Sequence, residues 1–112
     1  MRAIVTGSKH WVDMDKMRDE LAKLPVCTTI VVGTLQGAEK MAARLAEEEL
    51  GMSVEKWEDI DDTSSFELFH RNKEMVESDI DVCVAFMHSN SEPEWDCVRR
   101  ARAAKIETIV VN

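Results

Sequence analysis

The chain has 112 residues, 45% hydrophobic and 32% charged, which is the composition of one folded domain rather than of a disordered segment. Acidic residues outnumber basic ones by 22 to 14, giving a formal net charge of −8. Because such a surface repels phosphate backbones and anionic headgroups, we expect no nucleic-acid partner and no membrane partner. A local site can still hold a small anion. We predict a single domain over residues 1–112.

Cysteine usage and apolar run lengths indicate a cytoplasmic protein. Cys27, Cys83 and Cys97 are odd in number and widely spaced, which predicts reduced thiols rather than disulfides or a zinc site. No apolar run approaches the roughly 20 residues of a membrane span. The first predicted strand starts almost at Met1, so we expect no signal peptide. We expect no metal and no resident cofactor.

Five short apolar runs rich in β-branched residues recur at nearly even spacing. They begin near positions 3, 28, 53, 80 and 106, and they read AIVT, TTIVV, SVEKW, IDVCVAF and ETIVV. Apolar runs without alternation are typical of strands covered on both faces, as in a parallel sheet. The third run alternates Val54 and Trp57 with charged residues, as an edge strand does.

Helical patterns fill the four intervals between these runs. Asp13 can cap the first helix and Pro25 ends it, while Gly51 follows the second as a C′ residue. Pro93 lies in the first turn of the fourth, where its missing N–H costs nothing. With right-handed crossovers, this order predicts an α/β fold: a three-layer α/β/α Rossmann-like sandwich around a five-stranded parallel sheet.

The predicted strand order, 3-2-1-4-5, determines where a ligand would bind. In this order the chain reverses direction between strands 1 and 4, and ligands of such sheets bind at the carboxyl ends of the strands beside that reversal. Four loops meet there, at residues 7–12, 33–36, 58–65 and 88–92.

Two of these loops carry features of an anion site. Gly7 lets the backbone approach a ligand, Ser8 can donate a hydrogen bond, and Lys9 supplies positive charge. The alternative is a tight turn with a solvated lysine. The loop between Gly33 and Gly37 is neither a GxGxxG motif nor a Walker loop, and Gly37 could instead allow close packing of helix and strand.

Four segments in register carry a family resemblance. They are MRAIVTGSKHW, VVGTLQGAEKMAARLAEE, RNKEMV and VRRARAAKIETIVV. Together they resemble the YspA-like members of the SLOG superfamily, relatives of the LOG and DprA proteins, over nearly the whole chain. The resemblance implies a Rossmann-like fold and a pocket for a nucleotide or nucleotide-derived molecule. Because superfamily relatives associate, it also allows a homodimer.

The resemblance implies ligand contacts in the first two motifs. The first, roughly TGSR followed by an aromatic residue, falls on residues 6–11, with Lys9 where arginine is common. Lysine keeps the charge and loses the bidentate geometry. The second, approximately GGxxGAD, falls on residues 33–39, with Thr34 and Glu39 where glycine and aspartate are usual.

The RNxxM motif is intact at Arg71, Asn72 and Met75. We expect Arg71 or Lys9 to neutralise a phosphate; the alternative for Arg71 is an ion pair with a nearby acid such as Glu67. The candidate ligand-binding residues are Gly7, Ser8, Lys9, Gly33, Thr34, Gln36, Gly37, Arg71 and Asn72.

The loop after the fourth strand departs from the family pattern. Where a PGGxGT-like segment is usual, residues 87–94 read MHSNSEPE, without a glycine. Glu92 and Glu94 would favour the helix start by about 0.3–1 kcal/mol each, and they would repel a phosphate there. Either the phosphate lies at the Gly33–Gly37 turn or the usual ligand is not bound.

Three functions are compatible with the sequence. The first is a SLOG-type protein that binds a nucleotide or nucleotide derivative. The second, implied by LOG-like relatives, is a nucleotide N-glycosidic hydrolase (a phosphoribohydrolase) with Glu39 or Glu74 as the catalytic carboxylate. The third is a non-enzymatic interaction protein with a degenerate pocket, in which Trp11 and Trp95 form a contact patch or belong to the core.

Overall fold

A computed structural model describes residues 1–34, 37–57, 65–87 and 92–112, without the side chains of 65–68 and 92–94. Strands and helices alternate through these ranges, as predicted. The elements are β1 (Arg2–Gly7), α1 (Met14–Ala22), β2 (Thr29–Gly33), α2 (Ala38–Glu48), β3 (Ser53–Trp57), α3 (Ser65–Val76), β4 (Val82–Phe86), α4 (Glu92–Ala103) and β5 (Glu107–Val111).

The five strands form one parallel sheet in the order β3-β2-β1-β4-β5. β1 is central and pairs with β4 from Ala3 to Gly7 and with β2 from Arg2 to Ile4. β3 lies at an edge, as its alternating sequence predicts. The predicted order 3-2-1-4-5 and the three-layer α/β/α architecture are therefore confirmed.

Both faces of the sheet are buried, which explains why the strands read as continuous apolar runs. In β2, Val32 packs into the cluster that contains the buried residues of α1 and α2, and Val31 packs into the cluster that contains Met75 of α3 and Cys97 of α4. Both valines are fully buried. The two helix layers therefore cover opposite faces.

The residues predicted to begin and end the first two helices lie at those helix ends in the structure. The Asp13 side chain accepts a hydrogen bond from the Lys16 N–H at 3.0 Å, and α1 ends at Ala22, before Pro25. Gly51 follows α2 with a φ of +64°, the left-handed conformation that favours glycine at a helix end. Among the helices of the described ranges, none combines the length and apolar character needed to cross a bilayer.

The cysteines are free thiols. Cys83 and Cys97 are buried, and Cys27 is exposed. A hydrogen bond with Cys83, together with burial, raises the pKa of the Cys97 thiol. At neutral pH this buried thiol is therefore protonated and unreactive.

An ion pair between Arg2 and Glu55 ties the edge strand β3 to the central strand β1. The Arg2 guanidinium donates to both Glu55 oxygens, at 2.8 and 2.9 Å, and the Trp57 indole N–H donates to the same carboxylate at 2.8 Å. The bonds from Arg2 and Trp57 lower the pKa of Glu55 to about 2. Arg2 Nε also donates to the Ser78 carbonyl, which joins the pair to the segment after α3.

We predict that Glu55→Gln makes stability less dependent on pH in acid. A lowered folded-state pKa stabilises the protein above the ordinary carboxyl value of 4.5, and this contribution is lost as pH falls through that value toward about 2. Because the Glu55 side chain is 41% exposed, the loss at neutral pH should be about 1 kcal/mol or less. Urea unfolding over the acid range measures both effects.

Glu107→Gln is the matched control, since Glu107 is an exposed carboxylate on the opposite edge strand. Its acid dependence should match that of the original protein. Identical acid profiles for the two variants would contradict a stabilising role for the Arg2–Glu55 pair.

Candidate functional site

At the carboxyl edge of the sheet, the loop after β1 lies directly on the start of α2. The Ser8 carbonyl accepts hydrogen bonds from the Ala38 N–H at 3.0 Å and from the Trp11 N–H at 3.2 Å. A Cβ at Gly37, which has a φ of +85°, would come within 2.5 Å of the Lys9 backbone. Gly37 is therefore required by contact between two loops, and the first amide of α2 already has a protein acceptor.

The same loop is joined to β4. The Ser8 N–H donates to the Phe86 carbonyl at 2.8 Å, and the Ser8 hydroxyl accepts from the His10 N–H at 3.1 Å. A Cβ at Gly7 would overlap the Phe86 carbonyl oxygen. Gly7 and the fully buried Ser8 thus form the joint between β1 and β4, while Lys9 is exposed above them.

A buried ion pair lies beside the glycine turn after β2. Both Arg71 terminal nitrogens donate to the Glu39 carboxylate, at 3.1 Å in each case. Glu39 is 3% exposed and Arg71 is 8% exposed. A Cβ at Gly33 would overlap Arg71 Nη1 and Glu39 Oε1, so the absence of a side chain at Gly33 leaves room for the pair.

The ion pair continues into a chain of polar contacts that connects three helices. Arg71 donates to the Asn72 side-chain carbonyl at 2.9 Å, and the Asn72 amide donates to Asp96 at 3.2 Å. Asp96 also accepts a hydrogen bond from Arg100 Nε at 2.8 Å. The chain runs from α2 through α3 to α4, and it fixes Arg71 and Asn72 in place.

Sequence analysis did not identify the partner of Arg71. The alternative for Arg71 was an ion pair with an acid nearby in sequence. In the structure Arg71 pairs with an acid that is distant in sequence, Glu39 on α2. The side chain of Glu67, the acid named above, lies outside the described residues. The contact spans two helices on opposite faces of the sheet, so no local spacing in the sequence could have found it.

The two candidate catalytic carboxylates lie apart and in different settings. Glu39 uses both oxygens to accept from Arg71. Glu74 is exposed on α3, where His70 Nε2 lies 3.1 Å from its carboxylate. The structure therefore does not bring them to a common site.

A cavity of about 290 Å³ lies between α2 and the edge strand β3. Its lining residues, mostly charged, are Gly33, Thr34, Lys40, Ala43, Arg44, Glu47, Glu48 and Lys56. Sequence analysis named the turn residues Gly33 and Thr34 and missed the cations. The i, i+4 spacing of Lys40 and Arg44, just after the glycine turn, was the available signal.

Some predicted positions lie outside the described residues. They are Gln36 in the second loop and segment 88–91, together with the side chains of Glu92 and Glu94. The described candidates share one edge of the sheet. Lys9 lies over Gly37, and Arg71 lies against Gly33, so motifs distant in sequence are adjacent in the fold.

Comparison with known proteins finds a phage relative that aligns with nearly the whole chain. The chain is 32% identical over 120 residues to the Gene 61 protein of Mycobacterium phage D29, with 96% of this chain and 94% of the phage protein covered. The chain belongs to the Gene 61 protein family. The name of this family states no activity, and no family model matches the chain. Function in this Gene 61 family member must therefore be argued from its site.

We predict that Gly33→Ala destabilises this Gene 61 family protein strongly. The new Cβ must displace the Arg71 guanidinium or the Glu39 carboxylate, so the expected loss is about 3–5 kcal/mol, as for opening a buried ion pair. Gly51→Ala is the control, because it has a positive φ and nothing within 4 Å of the new Cβ. Its backbone strain should cost on the order of 1 kcal/mol. Equal losses in urea unfolding would contradict the steric role of Gly33.

Glu39→Gln should also be costly, because it leaves the Arg71 charge buried without its compensating carboxylate. We expect a loss of about 3 kcal/mol or more in the free energy of unfolding. Adding Arg71→Met removes the uncompensated charge, so the double variant should be less destabilised than the sum of the single ones. The exposed Glu48→Gln, which breaks only the Arg44 pair, should cost less than about 0.5 kcal/mol. Additive losses at positions 39 and 71 would show that the pair carries no coupling.

Proposed function

We propose that this protein is a small ligand-binding protein of the SLOG type that binds a nucleotide or nucleotide derivative. The observation that supports this most is the meeting of separate motifs at one edge of the sheet. The backbone of Lys9 lies against Gly37, and the Arg71 guanidinium lies against Gly33. This edge flanks the reversal of strand order around β1, the position at which doubly wound α/β sheets bind ligands.

Arg71 and Lys9 lie differently at this edge, because Arg71 is buried and Lys9 is exposed. The Arg71 charge is balanced by the Glu39 carboxylate, so Arg71 chiefly holds α3 against the start of α2 beside Gly33. Lys9 is exposed at the same edge, and Thr34 and Gly37 are partly exposed beside it. A phosphate would then be neutralised by Lys9 through a charge-assisted hydrogen bond.

The geometry counts against the two alternatives where they depend on Glu39 and on Trp11. A hydrolase acting through Glu39 would have to release that carboxylate from both of its bonds to Arg71. Trp11 belongs to the core rather than to an exposed contact patch, because it is 5% exposed and packs against Phe86 with ring centroids 5.4 Å apart. Trp95 is half-buried against the core.

Calorimetric titration with nucleoside phosphates and ADP-ribose tests the proposal. We expect heat from at least one of these ligands, and about tenfold weaker binding in Lys9→Gln because a charge-assisted bond is lost. Lys23→Gln, at an exposed lysine after α1, should bind as the original protein does. Absence of heat from every ligand in folded protein would contradict the proposal.

A further inference from the structure

We propose that the cavity between α2 and β3 is an anion subsite that takes a phosphate or pyrophosphate group through Lys40, Arg44 and Lys56. The proposal deepens the function proposed above and rests on it for the identity of the remaining ligand. The shape and charge of the cavity support the anion subsite itself.

The position of the cavity places it next to the glycine turn. Gly33 and Thr34 form part of its wall, at the carboxyl end of β2. Lys40 and Arg44 extend from successive turns of α2, and Lys56 extends from β3. Three cations from two elements therefore surround one space beside the predicted ligand edge.

The ion pairs that line the cavity can be broken at a low cost in free energy. Arg44 pairs with Glu48 at 3.2 Å, and Lys56 pairs with Glu47 at 3.0 Å. These side chains are all exposed, and exposed ion pairs are weak. Among the described residues Lys40 forms no ion pair, so the lining has three cations against two carboxylates. An arriving phosphate can replace a carboxylate and accept stronger hydrogen bonds.

Size and lining select the part of the ligand that would enter. A volume of about 290 Å³ lies at the lower end of small-molecule pockets, which span about 300–1,000 Å³. Among the residues that the structure describes, Ala43 is the apolar side chain of the lining, and none of them contributes an aromatic ring to it. A purine or nicotinamide ring would find no stacking surface in this lining, whereas a phosphate or pyrophosphate group would find cations.

The first test measures binding of inorganic pyrophosphate by calorimetry at low ionic strength. We expect the double variant Lys40→Gln/Lys56→Gln to bind about a hundredfold more weakly, because two charge-assisted bonds are lost. Lys16→Gln/Lys23→Gln, with two exposed lysines of the α1 region replaced, makes the same change in net charge away from the cavity. It should bind as the original protein does. Equal weakening in both double variants would overturn the proposal.

In the second test the substitution should strengthen the binding of pyrophosphate rather than weaken it. Glu47→Gln removes the carboxylate that competes for Lys56, so pyrophosphate should bind about threefold or more tightly. Glu20→Gln makes the same change in net charge at a carboxylate paired with Lys23, and its affinity should not change. Unchanged or weaker binding in Glu47→Gln would overturn the subsite.

A nucleoside diphosphate titrated into the same variants separates this proposal from the function on which it rests. Binding that is tighter than that of pyrophosphate and weakened in Lys40→Gln/Lys56→Gln supports both. If the nucleoside diphosphate binds tightly and its affinity is the same in Lys40→Gln/Lys56→Gln, the subsite alone is overturned. Cavity-dependent binding of pyrophosphate, with no gain from the nucleoside, supports the subsite and contradicts the nucleotide function.

Discussion

The buried ion pair between Glu39 and Arg71 holds the carboxyl edge of the sheet in one arrangement. Its partners come from α2 and α3, which cover opposite faces, and they meet beside Gly33 at the end of β2. Each charge would be costly to bury alone, so the two helix segments are fixed relative to one another. The packing around Gly33 therefore depends on an electrostatic contact as much as on the backbone of β2.

This pair changes how charge is distributed at the edge. The guanidinium that sequence analysis assigned to a phosphate is already balanced by a carboxylate of the protein. Exposed lysines and an arginine also lie at this edge, and Arg44 and Lys56 among them form weak pairs with Glu48 and Glu47, within a chain whose net charge is −8. The anion site proposed above would therefore draw on Lys9 and on the cations of the α2/β3 cavity, and attraction of an anion would be local to this edge.

The architecture could be predicted because each element carries its own local signal. The run IDVCVAF lacks alternation because both faces of β4 are covered, and Asp13 and Pro25 mark the ends of α1 through local hydrogen bonding and sterics. The site was less predictable because its contacts are not local. Nothing in the spacing of positions 39 and 71 shows that they meet. Likewise, a glycine at position 33 or 37 reads the same whether it makes room for a ligand or for the protein's own atoms.

The capping of α2 has a consequence for how this edge tolerates change. Its first amide is satisfied by the main-chain carbonyl of Ser8, whereas α1 is capped by the side chain of Asp13. A side-chain cap disappears with a single substitution, but a peptide carbonyl is present whatever residue occupies position 8. A change in the length of the β1–α1 connection would move that acceptor away, as would a side chain at Gly7 or Gly37, where the new Cβ would clash with the Phe86 carbonyl or the Lys9 backbone. Insertions and deletions in this connection would therefore displace the beginning of α2, whereas a substitution at position 8 itself leaves the capping carbonyl in the chain.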